Sequence, residues 1–126
     1  IEKTSSWPLN YLGFREDVID LYQWLDIVVL PSIEYESFGM VLLEAMLWSK
    51  PTICSDFGGM KEVVEHNKTG FVVPANDEKE LAATLDCLLG NEQLRKKMGT
   101  AGRRRLKELF SDRIMIKKYQ NLFSGL

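Results

Sequence analysis

Histidine is almost missing from this sequence of 126 residues, with His66 alone, and cysteine occurs only as Cys54 and Cys87. No group of these side chains has metal-ligand spacing, so no metal site is expected. Cys54 falls in an apolar strand and Cys87 on an amphipathic helix. Both are expected to be reduced core residues, which fits the cytoplasm. Long hydrophobic runs are lacking too: nothing approaches the ~20 apolar residues that cross a bilayer, and there is no signal peptide. Neither sign of charge dominates, with 16 Lys and Arg against 18 Asp and Glu and a net charge of -2. That balance argues against nucleic acid as a partner. The basic run Arg103-Arg104-Arg105, diluted by Glu108 and Asp112, reads as a solvated helix face. No G-x-G-x-x-G follows a strand, which leaves a nicotinamide-dependent oxidoreductase unsupported.

What is present is an ordinary globular composition, 45% hydrophobic and 27% charged, enough for one domain over 1–126. Residues 1–8 form a lead-in. A short strand is expected over 9–14, ended by Gly13. Val18, Leu21, Tyr22 and Leu25 have helical spacing over 17–25. The run Ile27-Val28-Val29-Leu30 suits a strand buried on both faces. A polar loop, 32–37, leads to an apolar helix over 39–48. A strand over 51–54, a short helix over 60–65, a turn at Asn67-Lys68-Thr69-Gly70 and a strand Gly70–Val73 follow. Helices are then expected over Glu78–Leu89, 92–110 and 112–123, the last capped by Ser111 within a C-terminal segment 111–126. The chain opens on Ile1 and closes on an amphipathic helix, as a piece of a longer polypeptide would.

Strands alternating with helices predict an α/β protein with an open, Rossmann-like, doubly wound parallel sheet. Ligands of such sheets bind beyond the carboxyl ends of the strands, which here are the loops after Phe14, Leu30 and Cys54. Helix 39–48 presents apolar residues on every face, so it is expected to be buried all round, with Glu44 as its one charge. A carboxylate there needs a partner: either a buried Arg or Lys, or a ligand with hydroxyl donors. At the helix start, Glu36-Ser37-Phe38-Gly39-Met40 supplies a cap, a close backbone approach at Gly39 and unpaired N–H groups suited to phosphate. Glu36 and Glu44 are not spaced as a hydrolytic pair. They suit two different polyols flanking an anion, the pattern of a sugar nucleotide.

The blocks Y-L-G-F-R-E-D-V, P-S-x-x-E-x-E-S-F-G-M-V-L-L-E-A-M, K-P-T-I-C-S-D-F-G-G-M-K-E-V-V and T-G-F-V-V-P, in that order, resemble the retaining GT-B glycosyltransferases known as group 1 transferases. Glu36 and Glu44 match that family's E-x7-E motif. The resemblance implies the C-terminal, donor-binding domain of a GT-B enzyme that transfers a sugar from a nucleotide-sugar donor with retention of configuration. It implies that Glu36, the catalytic candidate, binds donor-sugar hydroxyls, and that Glu44 takes the ribose hydroxyls. Ser37, Phe38, Gly39, Met40 and Val41 would hold sugar and diphosphate through the helix start, while Gly13, Phe14 and Arg15 lie along the base. Ser32 would support the loop, and Gly58-Gly59 would make a tight turn behind the site or touch the ligand. No cofactor or metal is implied.

The sequence departs from the family in lacking the Arg and Lys that neutralise the leaving diphosphate; Arg15, Lys50 and Lys61 do not occupy that motif. It also matches only the third to sixth strands of a sheet ordered 3-2-1-4-5-6, which leaves a gap after the first strand and exposed edges open to association. The missing N-terminal acceptor domain is the expected partner, and through it a membrane, so the location is cytoplasmic or at a membrane's cytoplasmic face. Alone, the chain is expected to be inactive. A sugar-nucleotide epimerase on the same scaffold and a non-catalytic sugar-nucleotide-binding module remain as alternatives. His66 is expected on a surface turn, and Trp24 and Trp48 in the core or an interface.

Overall fold

The computed structural model describes residues 9–13, 15–32 and 40–109. Its elements are helix α1 (Val18–Leu21), running on into a 3-10 turn at Tyr22–Trp24, strand β1 (Val28–Leu30) and helix α2 (Met40–Leu47). Strand β2 (Thr52–Ser55), helix α3 (Met60–Val63), strand β3 (Gly70–Val73) and helices α4 (Glu78–Leu89) and α5 (Glu92–Leu109) complete them. The three strands form one parallel sheet in the order β1-β2-β3, with Val28 opposite Thr52 and Thr52 opposite Gly70.

Side chains alternate across the sheet as the pleat requires. Leu30, Cys54 and Val72 face one way and meet Leu42, Leu43 and Met46 of α2, Met60 and Val63 of α3, and Leu106 of α5. Val29, Ile53, Phe71 and Val73 face the other way, toward Leu85 and Leu88 of α4 and Leu94 and Met98 of α5. Every residue of β2 is buried. Both faces are therefore covered, which is the doubly wound arrangement and explains why the strands read as continuous apolar runs.

Helix α5 joins the two layers. It starts over one face at Leu94 and Met98 and ends over the other at Leu106. On the way it passes the turn that follows α2, so closely that a Cβ on Gly99 would lie 2.0 Å from the Ser49 carbonyl oxygen. Three of its arginines reach the terminal carbonyls of other helices. Arg95 donates to Leu88 and Leu89 at the end of α4 (2.7 and 2.9 Å), and Arg103 donates to Leu47 of α2. Arg105 donates to Glu62 and Val63 of α3 (2.8 and 2.9 Å) and pairs with Glu65 at 3.4 Å. Unsatisfied carbonyls and the negative end of the helix dipole favour a cation there. The basic run is thus no uniform solvated face, since Arg103 and Arg105 hold the fold while Arg104 is exposed.

Other expectations are corrected as well. Residues 9–13 form no strand: no ladder partner exists for them among the described residues, and Leu9, Tyr11 and Leu12 all lie exposed. The described sheet is consequently three contiguous strands without a gap. Helix α2 is not buried all round, because Val41, Leu47 and the following Trp48 are exposed. Cys54 is buried but Cys87 lies on the open side of α4. Trp24, at 79% exposed, is no core residue. His66 does occupy an exposed turn, where its Nδ1 accepts from the Val72 N–H at 3.0 Å. Phe110 and the helix expected over 112–123 lie outside the described residues.

Gly99 offers a direct check on the close approach of α5. In an ordinary helix interior Gly→Ala stabilises by about 1 kcal/mol. Here the added methyl overlaps a backbone carbonyl, an overpacking that costs about 1–3 kcal/mol. Gly99→Ala is expected to lower the thermal midpoint by several degrees; an unchanged or raised midpoint in calorimetry would contradict the packing of α5 on Ser49.

Candidate functional site

The carboxyl edge of the sheet is where β1 gives way to Pro31 and Ser32, β2 to Asp56 and Phe57, and β3 to Pro74. Two of these exits are tied together, for the Ser55 hydroxyl at the end of β2 donates to the Ser32 carbonyl. Behind the second exit, Gly58 takes a φ of +58° and Gly59 starts α3 with its carbonyl accepting from Glu62 N–H at 3.1 Å. The pair makes the tight turn that the sequence suggested.

Glu44 lies on the fifth residue of α2. Its helix neighbours Leu42, Leu43, Ala45 and Met46 are all fully buried, whereas Glu44 itself is half-buried. It shares the more open stripe of the helix with Met40, Val41, Leu47 and Trp48, at spacings of three and four residues. A half-buried carboxylate is less costly than a fully buried one. One group beside it is Tyr22, whose phenol interacts with the Glu44 carboxylate. Tyr22 is only 3% exposed and packs with Val28 of β1 and Ala45 of α2. Burial first, and then the hydrogen bond and negative charge of Glu44, push the Tyr22 phenol well above its ordinary range. The hydroxyl therefore stays protonated and acts as a donor to the carboxylate.

Sequence reasoning counted Tyr22 among the apolar positions of its helix and did not single it out. The available signal was chemical: a buried tyrosine hydroxyl needs a partner, and Glu44 is the nearby charge on an otherwise apolar helix.

Of the other residues expected at the site, Met40 and Val41 stand on the first turn of α2 as described. Arg15 is half-exposed, and its Nε and Nη2 donate to the two Asp17 oxygens at 2.6 and 2.5 Å. Through that hydrogen bond Asp17 is held below the usual carboxylate range and Arg15 is raised. Phe14, Glu36, Ser37, Phe38 and Gly39 lie outside the described residues. Lys50 donates to the Gln23 carbonyl at 3.4 Å, and Lys61 pairs with Asp56 at 3.8 Å. The Cys54 thiol is pushed up to about 12 by burial and then by the Asp56 charge, so it is not a thiolate nucleophile at neutral pH. Among the described residues no group of three His, Cys, Asp or Glu could hold a metal ion, and no helix is long and apolar enough to cross a membrane.

The parallel sheet, its covering helices and their order are those of the GT-B glycosyltransferases. The chain belongs to the group 1 glycosyl transferases, whose family model matches residues 8–105. It is 34% identical over 113 residues to the N-acetyl-alpha-D-glucosaminyl L-malate synthase of Bacillus anthracis, covering 90% of this chain and 29% of that protein. It is likewise 34% identical to the O-antigen chain mannosyltransferase C of Escherichia coli, over 88% of this chain and 30% of that one. The chain thus spans under a third of the length of these relatives. Among solved structures, Anabaena HepE in complex with UDP superposes with a TM-score of 0.79 at 29% identity, over 93% of this chain and 32% of HepE. The C-terminal domain of a group 1 glycosyl transferase from Francisella tularensis gives 0.71 at 26% identity, over 82% of this chain and 53% of that one.

The contact between Tyr22 and Glu44 has a pH signature. A raised phenol pKa means that the folded state keeps its proton longer than the unfolded chain, so this contribution is complete below about pH 10 and declines as pH rises past it. Thermal midpoints of Tyr22→Phe are expected to fall less steeply than wild type above roughly pH 10. Parallel curves would argue that the phenol is not perturbed.

Proposed function

We propose that this chain is the C-terminal, nucleotide-sugar-binding side of an enzyme that transfers a glycosyl unit from a nucleotide-diphosphate sugar to an acceptor with retention of configuration. The observation that carries the reading is Glu44: a half-buried carboxylate on the otherwise apolar helix that follows β1, beside the sheet edge where doubly wound folds take nucleotides. That HepE, of the same fold, is found with UDP and with UDP-glucose supports it.

On this reading Glu44 accepts from the ribose hydroxyls and Glu36 from the donor sugar. Ser37, Phe38, Gly39, Met40 and Val41 offer backbone N–H groups to sugar and diphosphate at the start of α2. Phe14 and Arg15 border the base. Catalysis is positioning together with stabilisation of the departing diphosphate, and requires no metal. The diphosphate cations and the acceptor site come from an N-terminal domain in a longer polypeptide, through which contact with a membrane surface would also run.

Calorimetric titration of the full-length polypeptide with UDP, GDP, ADP and their sugars tests the assignment. Glu44→Ala is expected to weaken nucleotide binding about ten- to hundredfold, the worth of one or two hydrogen bonds to a charged group. Glu36→Ala is expected to impair sugar transfer with smaller effect on nucleotide affinity. Equal nucleotide affinity in wild type and Glu44→Ala would remove the ribose role.

The 126-residue chain by itself is expected to show no transferase turnover. A radiolabelled-donor assay that detected transfer by this chain alone would overturn the division of labour.

A further inference from the structure

We infer that the outer face of α5 is a docking surface for an anionic lipid bilayer, carried by Lys96, Lys97, Arg104 and Lys107. The inference is independent of the roles proposed for Glu36 and Glu44. The contact is also separate from the one proposed for the N-terminal domain.

Charge on this chain is segregated although its total is balanced. Seven of its 16 Lys and Arg stand on α5, against two of its 18 Asp and Glu. Arg95, Arg103 and Arg105 are engaged with the carbonyls of other helices. The remaining four cations have no such task, and all four are exposed. With 3.6 residues per turn, Lys96, Lys97, Thr100, Arg104 and Lys107 fall within an arc of about 100°. The buried residues Met98, Gly99, Gly102 and Leu106 lie on the opposite side. The cations thus form one row, roughly 16 Å long, pointing away from the fold.

Lys96, Lys97 and Arg104 line, with Thr100 and Ala101, an open depression of about 480 Å³. Every charged group that lines it is a cation, and the two residues between are short. Acidic neighbours do not neutralise the row. Glu92 meets Lys96 at 3.4 Å, but both side chains are largely exposed and such a pair is given up at little cost. Lys97, Arg104 and Lys107 form no ion pair among the described residues. A face that served only solubility would be as well served by mixed charge.

A straight row of long cationic side chains on one helix face meets a planar negative surface along its whole length. Clusters of roughly four or more Lys and Arg on an amphipathic helix bind anionic headgroups in this way. A polynucleotide is the other polyanion of this size. It is the poorer fit, because α5 has no aromatic side chain on which a base could stack.

Flotation of the full-length polypeptide with vesicles tests the assignment. Phosphatidylcholine vesicles are compared with vesicles of phosphatidylcholine and phosphatidylglycerol. Each basic residue near such a surface contributes about fivefold in partitioning, so Lys97→Gln with Arg104→Gln is expected to weaken binding to the mixed vesicles about 25-fold. Binding to phosphatidylcholine alone should not change, and the two proteins should converge as salt is raised. Both side chains are exposed, so the thermal midpoint should stay put and unfolding cannot stand in for lost binding. Lys68→Gln with Lys79→Gln removes the same charge away from α5 and is expected to bind like wild type. An equal loss in that control would show that net charge, not this face, is read, and would overturn the inference. So would equal partitioning of wild type and the α5 variant onto the mixed vesicles. Wild type that ignored the vesicles yet bound single-stranded polynucleotide through Lys97 and Arg104 would assign the face to nucleic acid and overturn it as well.

Discussion

Helix α5 determines where almost everything else in the described structure sits, because it alone touches both layers over the sheet. Its arginines 95, 103 and 105 finish the C-termini of α4, α2 and α3 in turn, and Gly99 brings its backbone against the carbonyl of Ser49. Each bond to a terminal carbonyl is worth on the order of 1 kcal/mol net, and the charge on the guanidinium raises that. More is gained in placement, since a helix held at its last turn cannot slide along the sheet. For α2, which bears Glu44, the hold is double: Arg103 takes the Leu47 carbonyl while Gly99 abuts the following turn.

The consequence reaches the carboxyl edge. Glu44 is less than one turn from the end of α2 that α5 fixes, and between them Met46 and Ala45 are fully buried. The Tyr22 phenol beside it is raised above its ordinary range by burial and then by Glu44.

How much of this was legible in the sequence depends on whether the signal was periodic or relational. β1, β2 and β3 were legible because two-sided burial turns strands into short apolar runs, and α4 because its polar and apolar residues alternate with helical period around the Asp77 cap. The segment 9–13 was misread because Leu9, Tyr11 and Leu12 have strand-like composition, while pairing depends on which edge is present to receive them. The arginine run was misread because charge counting cannot tell a solvated guanidinium from one aimed at the end of a helix remote in sequence. Glu44 was found as a charge out of pattern. Tyr22 was not, because a tyrosine on an apolar stripe fits the pattern until its hydroxyl must be accounted for.

On the proposed reading, the exposure pattern of α2 gives the side from which a ligand would reach Glu44. The residues facing α5 and the sheet, Leu42, Leu43 and Met46, are closed off entirely. Those flanking Glu44 on its own stripe, Val41, Leu47 and Trp48, are apolar yet open. Among the described residues β1, which precedes α2, is one of the two edge strands and pairs with β2 alone. An apolar stripe interrupted by one carboxylate, beside an edge strand, has the composition of a ligand-site wall: apolar area for contact and one polar group for orientation. On that reading the opposing wall would stand across the stripe from α2, on the side that α5 leaves uncovered.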